Sequence, residues 1–158
     1  MTPTLPDCDL KFLVRQTRLM LSSYKHWTGK TLWPDAGKSG EMLAREVFAA
    51  PFVLCSAGTE ADPVLNYGNR TALGLWEMNW AALTRTPGRH TAEPMERAER
   101  DRFLDTVKRQ GYIDNYTGIR ISSTGRRFLI STATVWNLID EQGQYAGQAA
   151  TFAAWTFL

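Results

Sequence analysis

The chain has 158 residues, 44% of them hydrophobic, with 18 basic and 16 acidic side chains and a formal net charge of +2. That length suffices for one domain with its own core, and charge spread this evenly leaves no basic footprint for nucleic acid or an anionic membrane. The two cysteines, Cys8 and Cys55, form neither a disulfide framework nor a metal spacing, which fits free thiols in a reducing compartment.

The opening residues lack a basic stretch followed by an apolar one, and nothing approaches membrane-spanning length, so a cytoplasmic protein with no membrane contact is expected. After Asp9, a natural N-cap, Leu10, Leu13, Val14, Thr17, Leu21 and Tyr24 recur at helical spacing, which predicts an amphipathic helix over 9–27. Residues 28–40 are rich in Gly, Pro, Lys and Ser and read as a loop, and Glu41–Ala50 reads as a second helix stopped by Pro51. Gly37-Lys38-Ser39-Gly40 resembles the tail of a phosphate-binding loop, but Leu32 stands where that motif needs glycine.

From Pro51 the pattern changes. Phe52–Ser56 and Val64–Tyr67 predict a hairpin around the Gly58–Pro63 turn, and Asn69 and Asn79 are placed to cap two short helices. Thr91–Gln110 is helical again, with Glu96 and Arg100, Arg97 and Asp101, and Asp105 and Arg109 each four apart, a spacing that marks a solvated, ion-paired face. Gly111–Leu158 then reads as three strands joined by Ser123-Thr124-Gly125 and Asp140-Glu141-Gln142-Gly143. The order is helix, helix, two strands, short helices, long helix, three strands, within a single domain over 1–158 whose core is 51–158.

This order resembles the PAS fold, in which five antiparallel strands curve around a pocket roofed by the intervening helices. Val64-Leu65-Asn66-Tyr67-Gly68-Asn69-Arg70-Thr71-Ala72-Leu73 looks like the segment where the second PAS strand runs through an Asn into the first helix. More specifically, Gly58–Pro63, Gly118–Ser123, Ala133–Leu138 and Gly147–Phe152 are similar to the MEKHLA family, a PAS-like family that also occurs as the C-terminal domain of plant homeodomain-leucine-zipper regulators. The resemblance spans about Ser22 to Leu158. It implies an α+β, PAS-like five-stranded antiparallel sheet with helices on one face, preceded by the N-terminal helix, and a sensory or interaction role. Read as a stand-alone member, the chain is expected to act through a partner, a homodimer or ligand capture.

Arg120 lies between Ile119 and Ile121, so it points away from both. With a three-residue turn after it, Arg120 shares a face with Phe128, Ile130, Thr132, Thr134 and Trp136, and a guanidinium over hydroxyls and an indole suits a small anionic molecule, a carboxylate or phosphate. The alternative is an edge ion pair or a dimer contact. Gln148, in a central strand, either reads the ligand or ties strands together. Among six tryptophans, Trp76 and Trp136 are the pocket candidates, expected face to face, and the others are core.

Catalytic and cofactor signals are thin. His26 and His90 have no metal-ligand spacing. Haem-binding PAS domains bear a ligand near the place of His90, but Arg89 and Thr91 add no motif. Flavin-binding relatives carry a reactive cysteine in an Asn-Cys-Arg string on a helix, whereas Cys55 lies in a strand. Haem and flavin are therefore not supported, and the cofactor is left unassigned. Two classes lead: a sensor of a small molecule that signals through the N-terminal helix or outer sheet face, and an interaction module whose pocket is filled by its own side chains. A small α+β enzyme is a third, without a catalytic constellation behind it.

Overall fold

Asp9 starts the first helix as predicted: its carboxylate accepts the Lys11 amide, and α1 runs Leu10–Thr28. The computed structural model describes residues 5–158, so the first four residues of the expected non-secretory N-terminus lie outside the described residues. Ser39 caps α2, Gly40–Phe48, which places the glycine-rich 37–40 stretch at an ordinary helix start. Strands β1 (Val53–Ala57) and β2 (Leu65–Gly68) form the hairpin. Helices α3 (Arg70–Trp76) and α4 (Trp80–Leu83), a 3-10 turn at Gly88–Thr91 and α5 (Pro94–Gln110) follow. β3 (Tyr112–Ile121), β4 (Arg127–Ile139), β5 (Tyr145–Phe152) and β6 (Ala154–Phe157) close the chain.

The strands form one antiparallel sheet in the order β2-β1-β5-β4-β3, and β6 continues past β5 to pair with the first half of β4. The sheet is thus the expected PAS-like one with a short sixth strand added. Helices α3 and α5 lie on its inner face. Helices α1 and α2 cover the outer face, burying Leu13, Met20, Leu43 and Val47 against Leu54, Tyr67, Trp136 and Leu138. Polar bonds fix that seat: Gln16 Nε2 donates to Ser56 Oγ at 3.0 Å, and Trp27 Nε1 to the Asn137 carbonyl at 2.9 Å.

Asn69 does more than cap α3. Its Oδ1 accepts from the amides of Leu54 and Ala72 (both 3.1 Å), and its Nδ2 donates to the carbonyls of Phe52 (2.8 Å) and Val47 (3.3 Å). A fully buried amide with its donors and acceptor all used locks the end of α2, β1 and the start of α3 at one point.

The register of β3 on β4 overturns one expectation. Gly118 pairs with Ile130 but Tyr116 pairs with Ala133, so β4 carries an extra residue between them, and Thr132 takes it up with φ at 54°. A bulge of one residue reverses which face every later side chain meets. Phe128 and Ile130 face inward, as do Ala133, Val135 and Asn137, whereas Thr134 and Trp136 face outward. Thr132 is exposed at the bulge itself.

Candidate functional site

Helix α5 spans the inner face but is lightly seated, Val107 being its one fully buried residue. Its C-terminal half is held by amides from the sheet. Asn137 Nδ2 donates to the carbonyls of Val107 (3.2 Å) and Lys108 (3.0 Å), and Gln148 Nε2 to the Leu104 carbonyl (3.0 Å) and Asn137 Oδ1 (3.2 Å). The last carbonyls of a helix lack partners within it, so Asn137 supplies one for Lys108, while Leu104 and Val107, the latter already accepting from the Gly111 amide, gain a second donor that ties the helix to the sheet. Further up, Phe103 stacks on Tyr116 of β3 with ring centroids 3.8 Å apart.

Between α5 and the sheet lies a cleft of about 440 Å³. Arg100, Leu104 and Lys108 form its helical wall, and Cys55, Val135, Gln148 and Ala150 its floor. Glu60, Asp101 and Asp105 sit around the mouth, where the Lys108 ammonium lies 4.8 Å from the Tyr145 ring centroid.

Arg120 is buried on this same inner face, opposite Phe128. Its guanidinium donates to its neighbour Ile119's carbonyl (2.9 Å) and to the Tyr116 hydroxyl (3.3 Å), which in turn donates to Glu99 Oε2 on α5 (3.3 Å). Burial pushes the Tyr116 phenol up. Burial, and then the charge of Arg120, draw Arg100 down to about 10. Burial likewise pushes the Cys55 thiol up to about 11, against the opposing pull of Arg120 and Arg100. The thiol is therefore protonated at neutral pH, a poor nucleophile.

The sequence-derived residues divide between the two faces. Arg120 and Gln148 share the inner face, and Gln148 does tie strand to helix. Trp76 is on that face too, but as core: it meets Phe128 and Phe152 edge-on at 5.4 and 6.1 Å, away from the cleft lining. Trp136, expected opposite Trp76, lies on the outer face instead, its Nε1 donating to the Met20 carbonyl at 3.2 Å and its ring meeting Tyr24 edge-on at 5.0 Å. Thr134 shares that outer side and Thr132 is exposed, so neither joins Arg120; the bulge is the cause in all three cases.

Arg100 was not singled out. The i,i+4 spacing predicts three ion pairs on a solvated helix face, Arg100 in one of them, and of these only Asp105–Arg109 forms, at 3.3 Å. A signal was present: Arg100, Phe103, Leu104 and Val107 fall at i, i+3, i+4 and i+7, so Arg100 heads the one stripe of α5 that meets the sheet.

A larger groove of about 920 Å³ opens on the outer side, between α1, the 31–35 loop and the 139–142 turn, with Arg15, Arg18 and Lys25 on its rim. No group of three or more His, Cys, Asp or Glu side chains is placed to hold a metal among the described residues, and none of the described helices is long and apolar enough to cross a membrane.

A family model for the MEKHLA domain matches residues 14–157. The chain belongs to the MEKHLA domain family. Among curated proteins, this MEKHLA domain is 29% identical over 159 residues to the homeobox-leucine zipper protein ATHB-14 of Arabidopsis thaliana, and 27% identical over 160 residues to ATHB-9 of the same plant. In both cases the match covers 99% of this chain and 18% of the relative, so the chain spans less than a fifth of the relatives' length. Among solved structures, the PAS domain of a Colwellia psychrerythraea protein superposes with a TM-score of 0.62 at 11% identity, over 75% of this chain and 95% of that one. The likeness establishes the PAS fold for the MEKHLA domain.

Proposed function

We propose that this MEKHLA domain is a cytoplasmic sensory module that holds a small molecule in the cleft beneath α5 and passes its occupancy to a partner or a second copy through α1 and the outer sheet face. The observation that carries this reading is the contrast within α5: a 17-residue helix with one fully buried side chain, laid over an open cleft whose floor is built from inner residues of three strands, β1, β4 and β5. A helix seated this lightly responds to whatever fills the space under it. PAS-type folds serve as sensors in many settings, which supports the reading by analogy only.

A module whose pocket is filled by its own side chains is the second reading, favoured by the dense packing of Trp76 against Phe128 and Phe152 at the other end of the inner face. The open space under α5 weighs against it. An enzymatic reading draws no support from a cleft whose thiol is held protonated by burial and whose lining among the described residues holds no histidine.

Native mass spectrometry of the purified protein, followed by denaturation and identification of what is released, reports occupancy and oligomeric state together. The proposal expects a noncovalent adduct that is lost in Ala150→Phe, which fills the cleft. An unliganded protein whose partner binding is untouched by Ala150→Phe would favour the filled interaction module instead.

A further inference from the structure

Arg120 and Arg100 are both inside the protein; among the described residues Arg120 has no ion pair there, and Arg100 has one long pair to an exposed carboxylate. Arg120 is 7% exposed and makes no ion pair within 4.0 Å among the described residues; of the five N–H donors a guanidinium carries, it uses one on a carbonyl and one on a phenol oxygen. The Arg100 side chain is 13% exposed and makes no hydrogen bond among the described residues; its nearest carboxylate oxygen, on Asp101, is 3.7 Å away on a side chain that is 68% exposed. Arg100 Nη2 lies 2.6 Å from where a Cβ of residue 88 would stand, so Gly88 is what admits the guanidinium to this position.

The two cations converge on one turn of α5. Tyr116 links Arg120 to Glu99, the residue before Arg100, and stacks on Phe103, one turn further along. Each guanidinium bears on the titration of Cys55 in the cleft floor, and Arg120 on that of Arg100. Burying two like charges with only one long, solvent-exposed ion pair between them is unfavourable for folding, and an anion placed between them would relieve that cost.

Resting on the reading of this cleft as a ligand site, we infer that the ligand is a small organic anion, its charged group clamped between Arg100 on the cleft's helical wall and Arg120, which lies on the same inner face just beyond the cleft lining, and its carbon body lying on Cys55, Leu104, Val135 and Ala150. The planar forks of two guanidiniums match a carboxylate or phosphate edge. The rest of the lining is mostly apolar, so a carbon body gains from burial where a bare inorganic ion does not. Glu60, Asp101 and Asp105 at the mouth repel a polyanion, which selects a single charged group and disfavours nucleotides with long phosphate chains. Because the clamp takes one arm from a lightly seated helix and the other from the sheet, the anion pins α5 down, and occupancy becomes helix position.

Thermal unfolding of protein freed of any occupant tests this directly, with straight-chain carboxylates of about four to eight carbons, primary alcohols of the same lengths, and inorganic phosphate as probes. Carboxylates are expected to raise the melting temperature with an optimum length, alcohols and phosphate much less. Arg100→Gln and Arg120→Gln should each erase the preference for acid over alcohol, and Arg120→Lys, which keeps the charge but loses the fork, should weaken carboxylate binding by about tenfold. Acids and alcohols acting equally, or either Gln variant still preferring the acid, would overturn the anion clamp while leaving the cleft as a site for a neutral ligand. Phosphate alone acting would overturn the role of the carbon body. No probe acting, with no adduct in native mass spectrometry, would overturn the sensory reading as well.

Discussion

The two faces of the sheet are built on opposite terms. On the outer face, α1 and α2 close over Leu54, Tyr67, Trp136 and Leu138, and several polar groups there meet specific partners, as Gln16 meets Ser56 and Ser23 meets the Ile139 amide. On the inner face, the end under α3 is packed with Trp76, Phe128 and Phe152, while the end under α5 holds two arginines, a thiol and an open cleft. A domain that only needed stability would fill both faces alike. The difference places the dense packing on the outer face and leaves part of the inner face open, which is the space the proposed ligand would take.

Substitutions on the two faces should therefore separate. Trp136→Ala removes the largest fully buried side chain and is expected to cost about 3–5 kcal/mol in denaturant unfolding, with no selective effect on ligand binding beyond the loss of fold. Next in size, Asn69→Ala removes the side-chain partner of two buried amides and of the Phe52 carbonyl at the junction of α2, β1 and α3, and is expected to cost about 2–4 kcal/mol. Gly88→Ala should cost less than either, because the obstruction is the end of a flexible side chain. It should instead displace Arg100 and weaken anion binding, read by titration calorimetry. An equal loss of binding in a stability-matched outer-face variant would blur the comparison.

The smallest effect is pH-dependent and belongs to neither face. Glu77, in the left-handed conformation at the end of α3, accepts from the Ser122 and Thr124 hydroxyls of the β3–β4 turn, and these bonds hold its carboxyl below the usual value of 4.5. Because the folded carboxyl is the stronger acid, its contribution is present above pH 4.5 and is lost as the pH falls through the lowered value. Melting curves of Glu77→Gln and the parent should converge on acidification. A constant gap between them would exclude this account of the clasp.

Much of this arrangement was legible in the sequence, and where it was not, the reason is local. The caps Asp9, Asn69 and Asn79 and the two turns of the C-terminal strands announced the elements, because capping and turn chemistry are set within a few residues. Whether Arg120 and Gln148 share a face was not legible, because it depends on the length of the Asp140 turn and on the register that the turn sets between β4 and β5. Thr134 and Trp136 were misplaced because alternation fails at Thr132, a β-branched residue in the left-handed region that no propensity rule puts there. Arg100 was hidden by its charge: Glu96 four residues before it invited an exposed ion pair, while the stripe it shares with Phe103, Leu104 and Val107 carried the information that it turns inward.

The central claim is that the inner face carries charge for a ligand at the expense of the empty fold, and the melting temperature of Arg100→Met, measured on protein freed of any occupant, tests it most directly. Removing a mostly buried charge whose one ion pair is long and exposed is predicted to raise the melting temperature by about 5 °C while abolishing the preference for carboxylate over alcohol. A fall in melting temperature would show that Arg100 supports the fold, and would contradict the account.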